Sequence, residues 1–568
     1  MNSANYGLKS QLEQVEVLLS AAEGLFQRIL ETAQSCTDKG RRLDDFQVLT
    51  ERVAYQATEL RAAAEIHSYA RRAERAGVSE PLVAPMALAY AAELSHRIEG
   101  SLEGELAVLE LQSAPAAAGF GNASFRAALR AGLAVETLME IGRGVIASRG
   151  ANNGWIEDEA VAMARDSVRA FARAEVAPLA ERIHRNDELV PDTLIAKMAE
   201  LGFFAASIPE EFGGSGLGYP VMAVTTEELS FASLAGAGSL STRPEILTRA
   251  LLAGGTQEQR RKWLPRIASG ELMVAIAVTE PDAGSDVAAL ITRAEPVERD
   301  GQHGYLINGT KAWSTFAGRA EVIALLARTS TDPSAGARGL SMFIVTKQAH
   351  RDHDFEERQA GGGSLAGRAI ATPGYRGMHS YILSFDNWFV PAENLVGGDA
   401  GLNRGFYLQM AGFAAGRLQT GGRAIGLAQA GLVKTAEYVR ERRQFGRPLA
   451  GYQLTQHKLG RMATHITAAR QLTYAAAEEM EAAERGGAGA PSARLADLGA
   501  AMSKLLASDV AVWTTQEGQL LHGGWGYAEE TPISRYVVDA QVLPIFEGAK
   551  QILELRVIAA ALLRGALT

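Results

Sequence analysis

Thr279-Glu280-Pro281-Asp282-Ala283-Gly284-Ser285-Asp286 sets small and turn-forming residues between acids, directly after the apolar run Leu272 to Val278. A strand running into so tight a loop leaves hydroxyls and backbone N–H groups free to hold a polar ligand, although a plain surface turn has the same composition. Two other stretches invite a chemical reading. His350-Arg351-Asp352-His353-Asp354 carries two histidines three apart among acids, the donor types of a metal site. It lies in a charged run ahead of Gly361-Gly362-Gly363, so a solvated loop is the expectation. Gly361-x-Gly363-x-x-Ala366 mimics a dinucleotide fingerprint but follows charged residues rather than a strand, and is rejected.

The elements that must position such residues change in texture along the chain. Residues 8–150 read as helical: Leu12, Val15, Leu19, Ala22, Phe26 and Ile29 recur at three- and four-residue spacing. Similar spacing runs through Val53 to Ala64, Ala84 to Ile98 and Phe125 to Ile146, with breaks at Gly40, Pro81 and Ala114 to Gly121. Residues 151–154 read as a linker. A second helical region covers about Ile156 to Ile267, interrupted by a loop at Pro209 to Gly214. From Met273 to Asn394 the texture is β, with strands expected at Val274–Thr279, Tyr305–Ile307, Val322–Leu326, Met342–Val345 and Tyr381–Phe385. Asn308-Gly309 is read as a hairpin turn because both residues tolerate positive φ. Residues 348–373 read as an insertion. From Gly405 onward helices return, broken at Gly446–Pro448, Gly486–Pro491 and Gly523–Pro532. The expected division is 1–150, 151–272, 273–396 and 397–568.

The loop at Thr279, the stretch Arg442-Arg443-Gln444-Phe445-Gly446 and the stretch Ile545-Phe546-Glu547-Gly548, in that order, resemble the acyl-CoA dehydrogenase family from about residue 155 onward. The resemblance implies a mainly α fold with a β domain: a helical domain, a β-barrel-like domain and a C-terminal four-helix bundle, here behind an extra N-terminal helical domain. It implies FAD as cofactor and oxidation of an acyl-CoA between its α and β carbons. Val278, Thr279 and Ser285 match the loop lining the flavin and the ligand's path. Trp313 and Thr315 match the second flavin strand. Arg442 and Phe445 match a motif whose arginine reaches the FAD pyrophosphate in a neighbouring subunit, a task that suits a guanidinium's fixed donors. Gln453 matches an adenosine-side contact, and Gly523-Gly524 a turn approached by the neighbour's FAD. Three residues before that glycine pair the family usually carries glutamine; here stands Leu520, with Gln519 one place earlier.

Glu547 matches the catalytic base. The alternative position used by some members, immediately before Arg417, holds Gly416. Arg417 and Gly548, with Ser285, are implied substrate contacts. At the acyl end Arg243, in Ser239-Leu240-Ser241-Thr242-Arg243-Pro244, would suit an acid-ended chain, with Arg376 and His379 as weaker candidates. The implied partners are an acyl-CoA, an electron-transferring flavoprotein and further copies of the chain, as dimer or tetramer. Another short- or branched-chain specificity, or an oxidase or monooxygenase of the same fold, is the alternative.

At 568 residues the chain exceeds one core. A net charge of −9 argues against nucleic acid as main partner, while a coenzyme A needs only a local basic patch. The lone Cys36 excludes an internal disulfide and a cysteine-based metal site. No apolar run reaches the roughly 18–20 residues of a membrane helix, and the N-terminus lacks a signal-like pattern. Cytoplasmic placement without membrane insertion is the expectation.

Overall fold

The computed structural model describes residues 3–102, 109, 111–151, 154–487 and 489–566. The helices α1 (Ser3–Cys36), α2 (Gln47–Arg75), α3 (Val83–Leu102), α4 (Ala114–Ala117), α5 (Ala123–Gly132), α6 (Val135–Ala147), α7 (Glu159–Phe171), α8 (Ala177–Arg185), α9 (Asp192–Glu200), α10 (Tyr219–Ala232), α11 (Glu245–Gly254) and α12 (Gln257–Ala268) come first. The strands β1 (Val274–Ala277), β2 (Arg293–Arg299), β3 (Gln302–Thr315), β4 (Val322–Arg328), β5 (Leu340–Thr346), β6 (Asp354–Arg358), β7 (Ser364–Ile370) and β8 (Ser380–Pro391) follow. Then come α13 (Gly405–Glu441), the short strands β9 (Arg443–Gln444) and β10 (Arg447–Pro448), α14 (Gln453–Arg485), α15 (Ala493–His522) and α16 (Pro532–Ala540). The chain forms two compact units: Met1–Ser167 with Thr420–Thr568, and Val168–Gln419.

In the first unit the stripe Leu12, Val15, Leu19, Ala22, Phe26 and Ile29 is buried, as helical periodicity requires. The N-terminal helices dock on the C-terminal ones. At the crossing of α6 and α14, a Cβ on Gly142 would stand 1.8 Å from the Gln456 carbonyl oxygen, and one on Gly460 2.0 Å from that of Leu138. Only glycine admits that approach. Ion pairs add to it, Arg61 to Glu479 at 2.7 Å and Arg556 to Asp44 at 2.8 Å, as does the hydrogen bond between His465 Nε2 and Glu93 at 3.0 Å. The expected single helix from Phe125 to Ile146 is two, because Ala134 is extended between α5 and α6. Of the expected linker, Asn152 and Asn153 lie outside the described residues.

The second unit holds α8 to α12 and a mixed sheet of order β1-β4-β2-β3-β8-β7-β6, with β5 paired to β4. The sheet's core is apolar on both faces at β4, where Val322 to Ala327 are buried. Asn308-Gly309 is not the hairpin turn. The β2–β3 tip is Asp300-Gly301, whose φ angles are 51° and 76°. Gly309 sits inside β3 at a bulge against β8, and a Cβ there would meet the Thr292 Cα at 2.8 Å. Glycine serves a close backbone approach, not a turn. The 348–373 insertion is likewise not a charged loop throughout: β6 and β7 form a hairpin added to the sheet beside β8.

Candidate active site

The loop that opens at Thr279 is built around a buried ion pair. Lys311 on β3 is wholly buried, and its Nζ donates to Glu280 Oε1 at 2.8 Å and to the Val278 carbonyl at 2.9 Å. The Glu280 carboxylate also accepts the Ile291 and Thr292 N–H groups, at 2.8 and 2.9 Å. Burial works to raise the Glu280 pKa, yet the Lys311 charge and these N–H donors outweigh it and hold it below the ordinary value. Glu280 is thus a structural acid, which its place in a turn-rich sequence concealed.

The same knot joins the two expected flavin segments. The Thr279 carbonyl accepts the Ala312 N–H at 2.8 Å. Beyond Ala312, β3 bulges against β8, and Trp313 takes a left-handed φ of 60° with its side chain 57% exposed. A bulge re-aims a side chain, and a left-handed tryptophan costs about 1–2 kcal/mol. Thr315 lies two residues on, half-buried, its Oγ1 3.0 Å from Ser380 Oγ. Val278, Thr279, Trp313 and Thr315 therefore stand together; Ser285 is exposed farther along the loop.

Arg243 is buried, 6% exposed. Its Nε donates to the Ser239 carbonyl at 3.0 Å and one terminal nitrogen to Thr242 Oγ1 at 3.3 Å. Among the described residues no carboxylate pairs with it. Arg376 instead donates to the Thr372 and His184 carbonyls and lies 3.5 Å from Asp187. His379 Nε2 is 3.1 Å from the same aspartate. Arg417 is also buried.

In the first unit, Glu547 has a left-handed φ of 54° and is followed by Gly548 at 95°. Its half-buried carboxylate makes no hydrogen bond or ion pair among the described residues. The turn beneath is braced: buried Lys504 donates to the Gly548 carbonyl at 2.7 Å, and the Lys550 N–H donates to the Pro544 carbonyl at 2.9 Å. Lys550 Nζ meets Asp509 at 2.5 Å, and Asp509 accepts the Tyr55 hydroxyl of α2 at 2.6 Å. Sequence reasoning missed Lys504, Asp509, Lys550 and Tyr55. Their spacing carries no motif, because they act from three separate elements.

Phe445-Gly446 forms the two-residue tip between β9 and β10, with φ of 48° and 83°. Phe445 is 94% exposed. Arg443 closes the tip on the Gly446 carbonyl at 2.9 Å, and the Tyr452 hydroxyl donates to the Gln444 carbonyl at 2.7 Å. The exposed Arg442 guanidinium has no partner among the described residues, and Gln453 at the start of α14 is exposed too. Gly523 and Gly524 have open space where a Cβ would stand. Gln519 turns inward to the Gly526 carbonyl at 3.1 Å, leaving Leu520 68% exposed.

Three family models match the chain: the N-terminal domain of acyl-CoA dehydrogenase over residues 158–271, its middle domain over 275–388 and its C-terminal domain over 403–563. A (2S)-methylsuccinyl-CoA dehydrogenase of Cereibacter sphaeroides is 43% identical over 72% of this chain and 70% of its own.

The chain belongs to the acyl-CoA dehydrogenase family.

Solved relatives agree. Butyryl-CoA dehydrogenase of Megasphaera elsdenii is 28% identical with a TM-score of 0.63, over 72% of this chain and 100% of that one. A chain solved in work on the electron transferring flavoprotein of Acidaminococcus fermentans is 30% identical with a TM-score of 0.62, over 72% and 99%. This acyl-CoA dehydrogenase is an FAD-dependent oxidoreductase with the family fold plus an N-terminal helical extension. The residue types present suit such a cofactor: the exposed Trp313 indole could face a flat ring, and the open Gly523 and Gly524 and the Arg442 guanidinium, without a partner among the described residues, could meet phosphate. No helix among the described residues is long and apolar enough to cross a membrane.

Proposed function

We propose that this acyl-CoA dehydrogenase oxidises (2S)-methylsuccinyl-CoA to mesaconyl-CoA, the step it would take in the ethylmalonyl-CoA pathway of the cytoplasm. The observation that carries the substrate reading is Arg243, a buried guanidinium that among the described residues donates only to neutral acceptors. Keeping such a charge dry is costly unless an anion joins it, and the free carboxylate of a succinyl chain would be that anion. The name of the 43% identical relative supports the same choice. Arg376 and His379 are already engaged with Asp187, which favours Arg243 among the three.

In this reading Glu547 removes the α proton. Its carboxylate has no competing partner, and its strained backbone fixes where it points. The Glu547 N–H would hold the thioester oxygen, stabilising the enolate that develops. FAD, when bound, supplies the acceptor for the β hydride. Val278, Thr279, Ser285, Trp313 and Thr315 would line its ring; Arg442, Phe445, Gln453, Gly523 and Gly524 would hold the pyrophosphate and adenosine end belonging to a second copy. A homo-oligomer, dimer or tetramer, follows. Phe445, Leu454, Leu520, Trp525 and Tyr527 are exposed apolar side chains around those residues, which suits such a contact. An electron-transferring flavoprotein would reoxidise the flavin. Residues 1–150, 151–272, 273–396 and 397–568 are the domains we assign.

An anaerobic panel of acyl-CoA thioesters tests the substrate. (2S)-Methylsuccinyl-CoA should bleach the flavin and yield mesaconyl-CoA. Bleaching by butyryl-CoA or isobutyryl-CoA alone would overturn the acid-ended reading and leave the family standing.

A further inference from the structure

Asp187, His353 and His379 converge in the second unit, and none of them is assigned to base or flavin. Asp187 follows α8, His353 precedes β6, and His379 precedes β8. His379 Nε2 lies 3.1 Å from His353 Nε2 and 3.1 Å from Asp187 Oδ1, while His353 Nε2 is 3.9 Å from Asp187 Oδ2. Hydrogen bonding does not satisfy this arrangement. An imidazole Nε2 carries one hydrogen or one lone pair in its plane, so that of His379 can serve His353 or Asp187, not both. The two rings are T-shaped, at 68° with centroids 4.5 Å apart, and meet at their Nε2 edges rather than in a stack. The 3.1 Å from His379 Nε2 to His353 Nε2 and to Asp187 Oδ1, and the 3.9 Å from His353 Nε2 to Asp187 Oδ2, each fall within the span of two donors that share an ion at about 2.0–2.2 Å.

The surroundings agree with an ion there. His379 is buried, and desolvation, aided by His353 and Arg376 and opposed by Asp187, holds its pKa below the ordinary imidazole value. Arg376 is the cation facing the cluster: its Nε lies 3.5 Å from Asp187 Oδ1 and donates to the Thr372 carbonyl, and one terminal nitrogen donates to the His184 carbonyl. Asp187 and His353 are partly exposed, so water can enter to complete a coordination shell.

We propose that Asp187, His353 and His379 bind one divalent transition-metal ion of the zinc class. Two imidazoles and a carboxylate select such an ion over magnesium or calcium. The ion would clamp the β6–β7 insertion and the start of β8 onto the loop after α8. The His379 carbonyl accepts the Phe316 N–H at 2.8 Å, and Ser380 meets Thr315, so the clamp braces the end of the expected flavin strand.

The test uses the full-length, flavin-loaded protein, stripped with a chelator and titrated with Zn²⁺ by calorimetry, with thermal melting in parallel. One ion per chain should bind at micromolar concentration or tighter and raise the melting temperature; Mg²⁺ should do neither. His353→Ala and Asp187→Asn, both at partly exposed positions, should keep their circular dichroism and flavin content yet bind Zn²⁺ at least about tenfold more weakly, on the scale seen when support of a metal site is lost. Absence of binding below about 100 μM, or binding by His353→Ala equal to that of the unaltered chain, would overturn the assignment.

Discussion

Lys311→Met removes the cation from a buried pair and leaves the Glu280 carboxylate dry. Lys311 is fully buried and Glu280 4% exposed, so water cannot take the lost partner's place. Breaking a buried pair on one side costs about 3–5 kcal/mol. For a unit of roughly 250 residues that is a fall of about 6–20 °C in melting temperature. The sign of the pH dependence separates this from mere cavity formation. In the unaltered chain the Glu280 pKa lies below its free value, so its stabilisation is present above about pH 4.5 and is lost as pH falls through the depressed value. In the variant, burial alone acts on Glu280 and its pKa must rise. Stability should then increase as pH falls from 8 toward 5, the reverse slope. Lys311→Met with Glu280→Leu removes both charges and should recover most of the loss. The assays are calorimetric melting of the full-length protein across pH and FAD retention by fluorescence, because the same pair shapes the Thr279 loop. A loss below about 1 kcal/mol, or a double variant no better than the single, would refute the reasoning.

Arg243→Leu should lower kcat/KM for an acid-ended thioester relative to butyryl-CoA by about 2–5 kcal/mol if the pair is fully buried; an unchanged ratio clears Arg243. Arg442→Ala should release FAD and loosen the oligomer together, read by bound flavin and sedimentation, and a flavin-replete oligomer would reject the shared contact. Gly142→Val places side-chain carbon against the Gln456 carbonyl, where even a Cβ would be 1.8 Å away. It should detach the N-terminal helices at a cost of about 3 kcal/mol or more and expose residues 1–150 to protease; Gly100→Ala, with open space around it, should not.

Periodicity made the α1 stripe and the helical breaks near Gly446, Gly486 and Gly523 legible, since burial and chain reversal leave local signatures. The motifs at Thr279, Arg442 and Glu547 were read from their resemblance to the family. What sequence could not show is which role a residue type serves. Asn308-Gly309 has turn chemistry, but the bulge in β3 needs glycine for a close approach, and Asp300-Gly301 makes the turn. Glu280 reads as a surface acid until Lys311, far along the chain, is seen beneath it. His353 reads as a loop histidine until β8 brings His379 beside it. The Tyr55–Asp509–Lys550 contacts depend on the docking of the N-terminal helices, which no local pattern encodes.

Rapid-mixing reduction of the bound flavin by acyl-CoA tests Glu547 as the base of this acyl-CoA dehydrogenase. Glu547→Gln should retain FAD and bind the thioester, because the amide keeps the volume and the backbone turn. Flavin reduction should slow about 10²–10⁴-fold, the usual worth of a general base. Reduction at the unaltered rate, with ligand binding intact, would place the base elsewhere and contradict the account.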